Sequence, residues 1–210
     1  MKGYMDYMMV LSPSENVKEI VKSHKLESVK IIGNYESMHS IAHISIAHMV
    51  RQKNFITEPQ ISLLEKKLKA LPPITLTIDG FDHFSHGNDF KTIYARIRST
   101  PGTVKWFKEL KKPLYMKQYL VPHITIARNI PIDAFNVLWP HFKNAGWVET
   151  FEVAKLTVLH RETFASFAPW ELYRELPFER QTPFEETKAR PNAVDLRKKI
   201  GGANQQISLF

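Results

Sequence analysis

The apolar positions of this chain change period several times, and each change marks an element. Tyr7 to Leu11 is a short unbroken apolar run, the pattern of a strand covered on both faces. Ser12-Pro13-Ser14 ends it and supplies helix caps. Val17, Ile20 and Val21 follow at helical spacing, which predicts a helix from Glu15 to about Lys25. Gly33-Asn34 is a turn signal, and Ala42 to His48 then alternates with period two. Glu58 to Ala70 carries Ile61, Leu64 and Leu68 on one helical face and stops at Leu71-Pro72-Pro73. Ile74 to Ile78 alternates as a strand, Asp79-Gly80 reads as a turn, and Phe81 to Gly87 as a loop rich in aromatics and histidines.

The same order then starts again. Tyr94 to Arg98 reads as a strand stopped by Ser99-Thr100-Pro101-Gly102, and Thr103 to Lys112 as a short helix with Val104, Phe107 and Leu110 inward. Pro122 to Arg128 repeats the alternating strand. Ile132 to Asn144 is a helix striped by Phe135, Leu138, Trp139 and Phe142, and Phe151 to Leu159 the next strand. Leu76-Thr77-Ile78 lies at the same offset from Leu156-Thr157-Val158 as His43 does from His123, and Tyr7, Ser12 and Val17 find partners in Tyr94, Ser99 and Val104. A duplication of this kind predicts an α+β fold: bilobal, pseudo-two-fold, with antiparallel sheets flanked by helices around a central cleft. The halves run from about 1 to 90 and from about 91 to 176. Trp170 to Leu176 alternates as a closing edge strand. From Pro177 prolines, charges and glycines dominate, so residues 177–210 read as a flexible tail on a two-lobed unit spanning residues 1–176.

The two alternating strands carry the chemistry. Ala42-His43-Ile44-Ser45-Ile46-Ala47-His48 and Pro122-His123-Ile124-Thr125-Ile126-Ala127-Arg128 both read His, apolar, hydroxyl, apolar. Strand side chains alternate between faces, so His43 shares a face with Ser45, and His123 with Thr125, about 7 Å apart in each case. The isoleucines face the other way and anchor each strand in a core. The pseudo-two-fold brings both histidines to equivalent positions across one cleft. A neutral imidazole accepts a proton from an attacking hydroxyl and an imidazolium gives one to a leaving oxygen, so the pair suits acid–base chemistry without a metal. The hydroxyls suit non-bridging phosphate oxygens.

Composition narrows the setting. The 210 residues are long enough for one sizeable core or two small lobes, with ordinary hydrophobic and charged fractions of 43% and 24%. No apolar run has membrane-spanning length and no signal-peptide pattern opens the chain. The absence of cysteine excludes disulfide, thiol and cysteine–zinc chemistry and fits a cytoplasmic setting. A formal net charge of +8 favours anionic partners, nucleic acid first.

Paired His-x-(Ser/Thr)-x strands in a chain of this size resemble the two-histidine (2H) phosphoesterase superfamily, its 2'-5' RNA ligase and cyclic phosphodiesterase branch in particular. Pro122 to Arg128 is similar to that branch's second motif, and Leu76-Thr77-Ile78-Asp79-Gly80-Phe81 with Phe84 to the strand and Gly-Phe loop after its first; the likeness covers roughly residues 4 to 176. Ser45 stands where threonine is usual, and Ile46 and Ile126 where leucine is. The resemblance implies action on 2',3'-cyclic or 2'-5' phosphodiester bonds of RNA ends or nucleotides, as hydrolase or ligase, with no cofactor. It implies that His43 and His123 are the acid–base pair, with His123 as base and His43 as acid, and that Ser45 and Thr125 bind phosphate.

Further residues stand beside these. Arg128 and His48 occupy equivalent places, which strict alternation turns away from the motif histidines; Arg128 reaches phosphate if its strand bends. Phe81 and Phe84 are candidates for stacking on a base, against packing on the sheet end. Asp82, His83 and His86 lack the further ligands a metal site needs. The tail ends in Gln206-Ile207-Ser208-Leu209-Phe210, which resembles the peptide by which bacterial proteins dock on the DNA polymerase sliding clamp. Two alternatives to an enzyme stay open: a module that only binds RNA ends, and a clamp-tethered nucleic-acid accessory protein.

Overall fold

The structure, a computed structural model, describes residues 3–165 and 168–182. Among the described residues, eight strands and four helices follow in the order β1 (Tyr4–Leu11), α1 (Glu15–Ile32), β2 (Ile44–Lys53), α2 (Asn54–Leu68), β3 (Ile74–His86), β4 (Phe90–Ile97), α3 (Pro101–Lys111), β5 (His123–Pro131), α4 (Ile132–Lys143), β6 (Val148–Val153), β7 (Lys155–Glu162) and β8 (Glu171–Pro177). The fold is α+β, with two antiparallel four-stranded sheets ordered β2-β1-β7-β8 and β5-β4-β3-β6. Residues 206–210, with the clamp-like peptide, lie outside the described residues.

Each helix begins where its caps put it. Ser14 accepts a hydrogen bond from the Val17 N–H at the start of α1, and Gly33 at φ 76° ends it, a backbone position that favours glycine. The helix runs a further two turns past the predicted end. Its buried face continues from Val17 and Val21 through Lys25 and Ser28, and two polar residues hid that stripe. In α3, Thr100 and Thr103 form a reciprocal capping box. Val104 is not inward as the spacing suggests: it is 58% exposed, and Trp106 takes the core position, its indole N–H donating to the Pro72 carbonyl at 2.8 Å.

Two stretches read differently in space. Asp79-Gly80 is not a turn and residues 81–87 are not a loop: β3 continues through both to His86. Gly80, at φ 70°, sits in a register slip between Ile78 and Phe81, so the strand bends without ending, and the reversal comes at residues 87–89. Phe151 to Leu159 is not one strand. Ala154 divides it; β6 pairs with β3, and β7 pairs with β1 in the other sheet.

That division sets the topology. The two sheets have the same order under the pairing of β1 with β4, β2 with β5 and β7 with β3. Each sheet borrows its third strand from the other half of the sequence: β3 joins β4, and β7 joins β1. One continuous core runs through both sheets, with Ile44 and Ile46 from β2 and Ile124 and Ile126 from β5 almost completely buried in it. The motif strands are the outermost strands of their sheets and are packed against each other, which puts their histidine ends on either side of one cleft.

Candidate active site

His43 directly precedes β2 and His123 opens β5. Each ring is fixed by a backbone carbonyl two residues earlier: Nδ1 of His43 lies 2.8 Å from the Ile41 oxygen, and Nδ1 of His123 lies 2.7 Å from the Val121 oxygen. A carbonyl can only accept, so Nδ1 carries the proton in both rings and Nε2 is the basic nitrogen in both. Burial pushes both imidazoles below the ordinary histidine pKa, partly opposed by those carbonyl bonds. The positive charge that His43 acquires on protonation lowers His123 further, so the two rings share one electrostatic environment. Repulsion of this kind disfavours protonating both rings at once, so the pair takes up its protons in separate steps.

The second residues of the motifs keep the expected face; Ser45 is exposed and Thr125 half-buried. Beyond them both strands depart from strict alternation at the same place. The β1–β2 register jumps between Met9–Ala47 and Val10–Ser45, and the β4–β5 register between Ile93–Ala127 and Tyr94–Thr125. Ile46 and Ile126 are thus extra residues in matched bulges. Ile126 and Ala127 both point into the core as a result, and Arg128 returns to the face of His123 and Thr125. Its charge acts on His43, His86 and His123 alike, as a guanidinium inside the cleft does. The matching bulge returns His48 to the face of His43; its ring meets Trp170 edge-on at 5.6 Å and lies in the field of Asp6 and Arg161.

Sheet residues line the cleft beside His123. Phe84 stacks on Tyr94 at 4.2 Å, and both rings lie 5.0 Å from the His123 ring. Burial raises the Tyr94 hydroxyl pKa, and the neighbouring Asp82 carboxylate raises it further. Phe81 is not available to a base: it is 7% exposed and packed among His24, Phe142 and Trp147. The histidines of this region separate. His83 packs on Phe135 and Trp139, whereas His86 reaches the Thr92 hydroxyl at 2.9 Å. Among the described residues, no group of three or more His, Cys, Asp or Glu could hold a metal ion.

Three residues of the site escape motif reading. Tyr94 figures in the sequence only as a strand residue, although its period-two relation to Arg96 gives its face. Ser37 and Lys25 lie in the segment and helix before His43. Ser37 accepts from the Arg128 backbone N–H at 2.9 Å, and Lys25 is 2% exposed, with burial lowering its ammonium pKa to about 8. The legible signal for Lys25 is its spacing of four from Val21, which puts a lysine on an apolar stripe.

Known proteins share the sequence profile and the fold of this chain. The profile of the 2'-5' RNA ligase superfamily fits residues 17–163, more than half of the chain. The chain belongs to that superfamily, the 2H phosphoesterases. No curated protein sequence matches it. Solved structures share its fold: the protein TT0787 of Thermus thermophilus has a TM-score of 0.61 at 13% identity, over 84% of this chain and 100% of that one. LigT of E. coli complexed with phosphate has a TM-score of 0.57 at 12% identity, over 85% and 100% of the two chains. The 3'-AMP complex of LigT gives 0.57 at 11%, over 84% and 99%.

Proposed function

We propose that the protein is a metal-independent phosphodiesterase acting on 2',3'-cyclic or 2'-5' phosphodiester linkages of RNA ends or nucleotides. The observation that carries this reading is the pair of imidazoles, each with Nδ1–H committed to its own backbone carbonyl, with the charge of protonated His43 lowering His123. In cyclic phosphate opening, His123 Nε2 takes a proton from water as the water oxygen bonds to phosphorus. His43, protonated on Nε2, gives its proton to the ribose oxygen as the phosphorus–oxygen bond to it breaks. The product is a phosphomonoester, and the pair has exchanged its proton between rings. Arg128, Ser45 and Thr125 hold the non-bridging oxygens, where negative charge grows. Phe84 flanks His123 and offers a ring face to a base. Superfamily membership and the phosphate and 3'-AMP complexes of LigT support a nucleotide phosphate as the ligand class. The reverse reaction, joining an RNA hydroxyl to a cyclic end, uses the same groups with the roles exchanged.

The test is turnover of a 2',3'-cyclic phosphate oligonucleotide in chelator. His43→Ala and His123→Ala each lose a factor of about 10² to 10⁴ in kcat while still binding the oligonucleotide. Tight binding without turnover by the parent protein identifies an RNA-end-binding module instead. The two-lobed unit that carries out this chemistry extends past residue 176, since Pro177 ends β8 and Phe178 is buried in the core. The rest of the chain supplies a tether whose last five residues, Gln206 to Phe210, dock on a sliding clamp in the cytoplasm. A peptide of residues 200–210 that does not bind purified clamp removes that part.

A further inference from the structure

Helix α1 carries a cation where its neighbours are apolar. Val17, Val21, Lys25 and Ser28 form its buried face, and Lys25 is 2% exposed. The ammonium is fully satisfied, by one short segment of chain. Nζ donates to the Ser37 carbonyl at 3.0 Å, the Ser40 carbonyl at 2.7 Å and the Ser40 hydroxyl at 2.6 Å. That uses all three of its protons. The segment it gathers, residues 34–42, ends at His43. The next carbonyl along, Ile41, fixes the His43 ring.

The same segment is tied on its other side to β5. Ser37 Oγ accepts from the Arg128 N–H at 2.9 Å, and Ser37 is itself buried. The Tyr35 hydroxyl lies 3.3 Å from both the Lys25 and the Ile126 carbonyls. Ile126 is the bulge residue that turns Arg128 into the cleft. One buried ammonium therefore lies at the junction of the segment bearing His43 and the strand bearing His123 and Arg128.

We propose that Lys25 is a positioning residue of the site: its ammonium gathers the segment before His43 onto β5, setting the distance between the motif imidazoles, and places a fixed positive charge behind His43. This rests on the phosphodiesterase reading only for its kinetic consequence. The charge acts on His43 from α1, while Arg128 and His123 face it from β5, and Lys25 and Arg128 both lower its proton affinity. A buried charge is costly even when hydrogen-bonded, as the lowering of Lys25 to about 8 shows. A methionine fills the same space without that cost. A charged residue kept here at the expense of stability is the pattern of a group retained for its site.

The experiment compares Lys25→Met and Ser40→Ala with the parent full-length chain. The readouts are the His43 imidazole titration by NMR and turnover of a mononucleotide 2',3'-cyclic phosphate. Lys25→Met raises the His43 midpoint, because one of its two lowering charges is gone. It reduces kcat by about 10- to 100-fold with a smaller change in KM, the effect of a misplaced acid. Ser40→Ala keeps the charge but loses one tether; its His43 midpoint stays with the parent's while kcat falls about three- to tenfold. A folded Lys25→Met protein with an unmoved His43 midpoint and kcat within about twofold of the parent overturns the assignment. If Lys25→Met does not fold, Ser40→Ala decides, and unchanged kcat overturns it. If the parent shows no turnover, the phosphodiesterase reading fails, and the NMR midpoints alone decide Lys25.

Discussion

At the scale of single residues, the site depends on where protons sit. Both motif histidines have folded-state pKa values below the ordinary value, chiefly through burial. The form with one proton between them therefore exists at lower pH than for free imidazoles. The expected pH profile of kcat/KM is a bell centred on the acid side of about 6.5, since this ratio reports the free enzyme. Arg128→Ala removes a positive neighbour of both rings, so the bell moves to higher pH while its height falls about 10²-fold through loss of a phosphate contact. Arg128→Lys keeps the charge and loses the fork, so the bell stays near its place at reduced height. The same shifts fix a stability slope. As pH falls through about 6.5, the unfolded chain takes up protons before the folded one does, so stability is lost from there down to the folded-state values. Lys25 acts higher up. Its folded value is about 8 against an ordinary lysine value of 10.5. Stability therefore falls as pH drops from about 10.5 toward 8, by about 3 kcal/mol in all. Chemical denaturation between about pH 8 and 10 shows this slope in the parent and not in Lys25→Met. The histidines were legible because two strand motifs repeat them with the same neighbours. Lys25 was not, because its role depends on carbonyls of a segment without regular structure.

At the scale of elements, the sequence pattern predicted every helix and the existence of most strands, and it failed where one residue changes the phase. Strict alternation would turn Arg128 away from the cleft; the extra residue Ile126 reverses that. Nothing in the alternation of Ile124 and Ile126 announces a bulge, although two adjacent buried positions, Ile126 and Ala127, are its mark in space. Phe151 to Leu159 failed for a reason that is visible in retrospect. Its buried apolar residues fall at Phe151, Val153, Leu156 and Val158, and the step of three breaks the period at the point where the chain changes sheets. In α3 the repeat itself misled, since Val104 matches Val17 in sequence but not in burial. Paired substitutions measure the difference. Trp106→Ala costs about 3–5 kcal/mol through the cavity and the stranded Pro72 carbonyl. Val104→Ala changes stability by less than about 0.5 kcal/mol. Gly80→Ala meets no close atom, its nearest neighbour being 3.7 Å away, so its cost is that of a side chain at φ 70°, about 1–2 kcal/mol. Denaturant midpoints of the three variants check this ranking.

At the scale of the whole molecule, the duplication was legible but its consequence was not. Matching residues along two halves suggest two lobes that each fold on their own stretch of chain. The strands are exchanged instead. Without β7, the sheet that carries His43 loses the partner on the inner edge of β1 and cuts off β8. Without β3, the sheet that carries His123 loses the partner of β4 and cuts off β6. A fragment of residues 1–90 holds β1, β2 and a β3 with no sheet to enter; a fragment of residues 91–182 holds most of β4 and β5 beside a β7–β8 hairpin that lacks β1. Two- and three-stranded remnants with an open core face fall short of independent stability. Each fragment alone is therefore expected to show no cooperative unfolding by circular dichroism. Mixed in equal amounts they recover it, because only together do they supply both exchanged strands. In the intact chain the same exchange makes unfolding of either sheet remove a strand from the other, so loss of the His43 and His123 environments, followed by NMR in denaturant, coincides in one transition. Separate transitions for the two imidazoles, or a fragment that melts cooperatively alone, would show that the lobes are independent and that the cleft is held together by surface contact only.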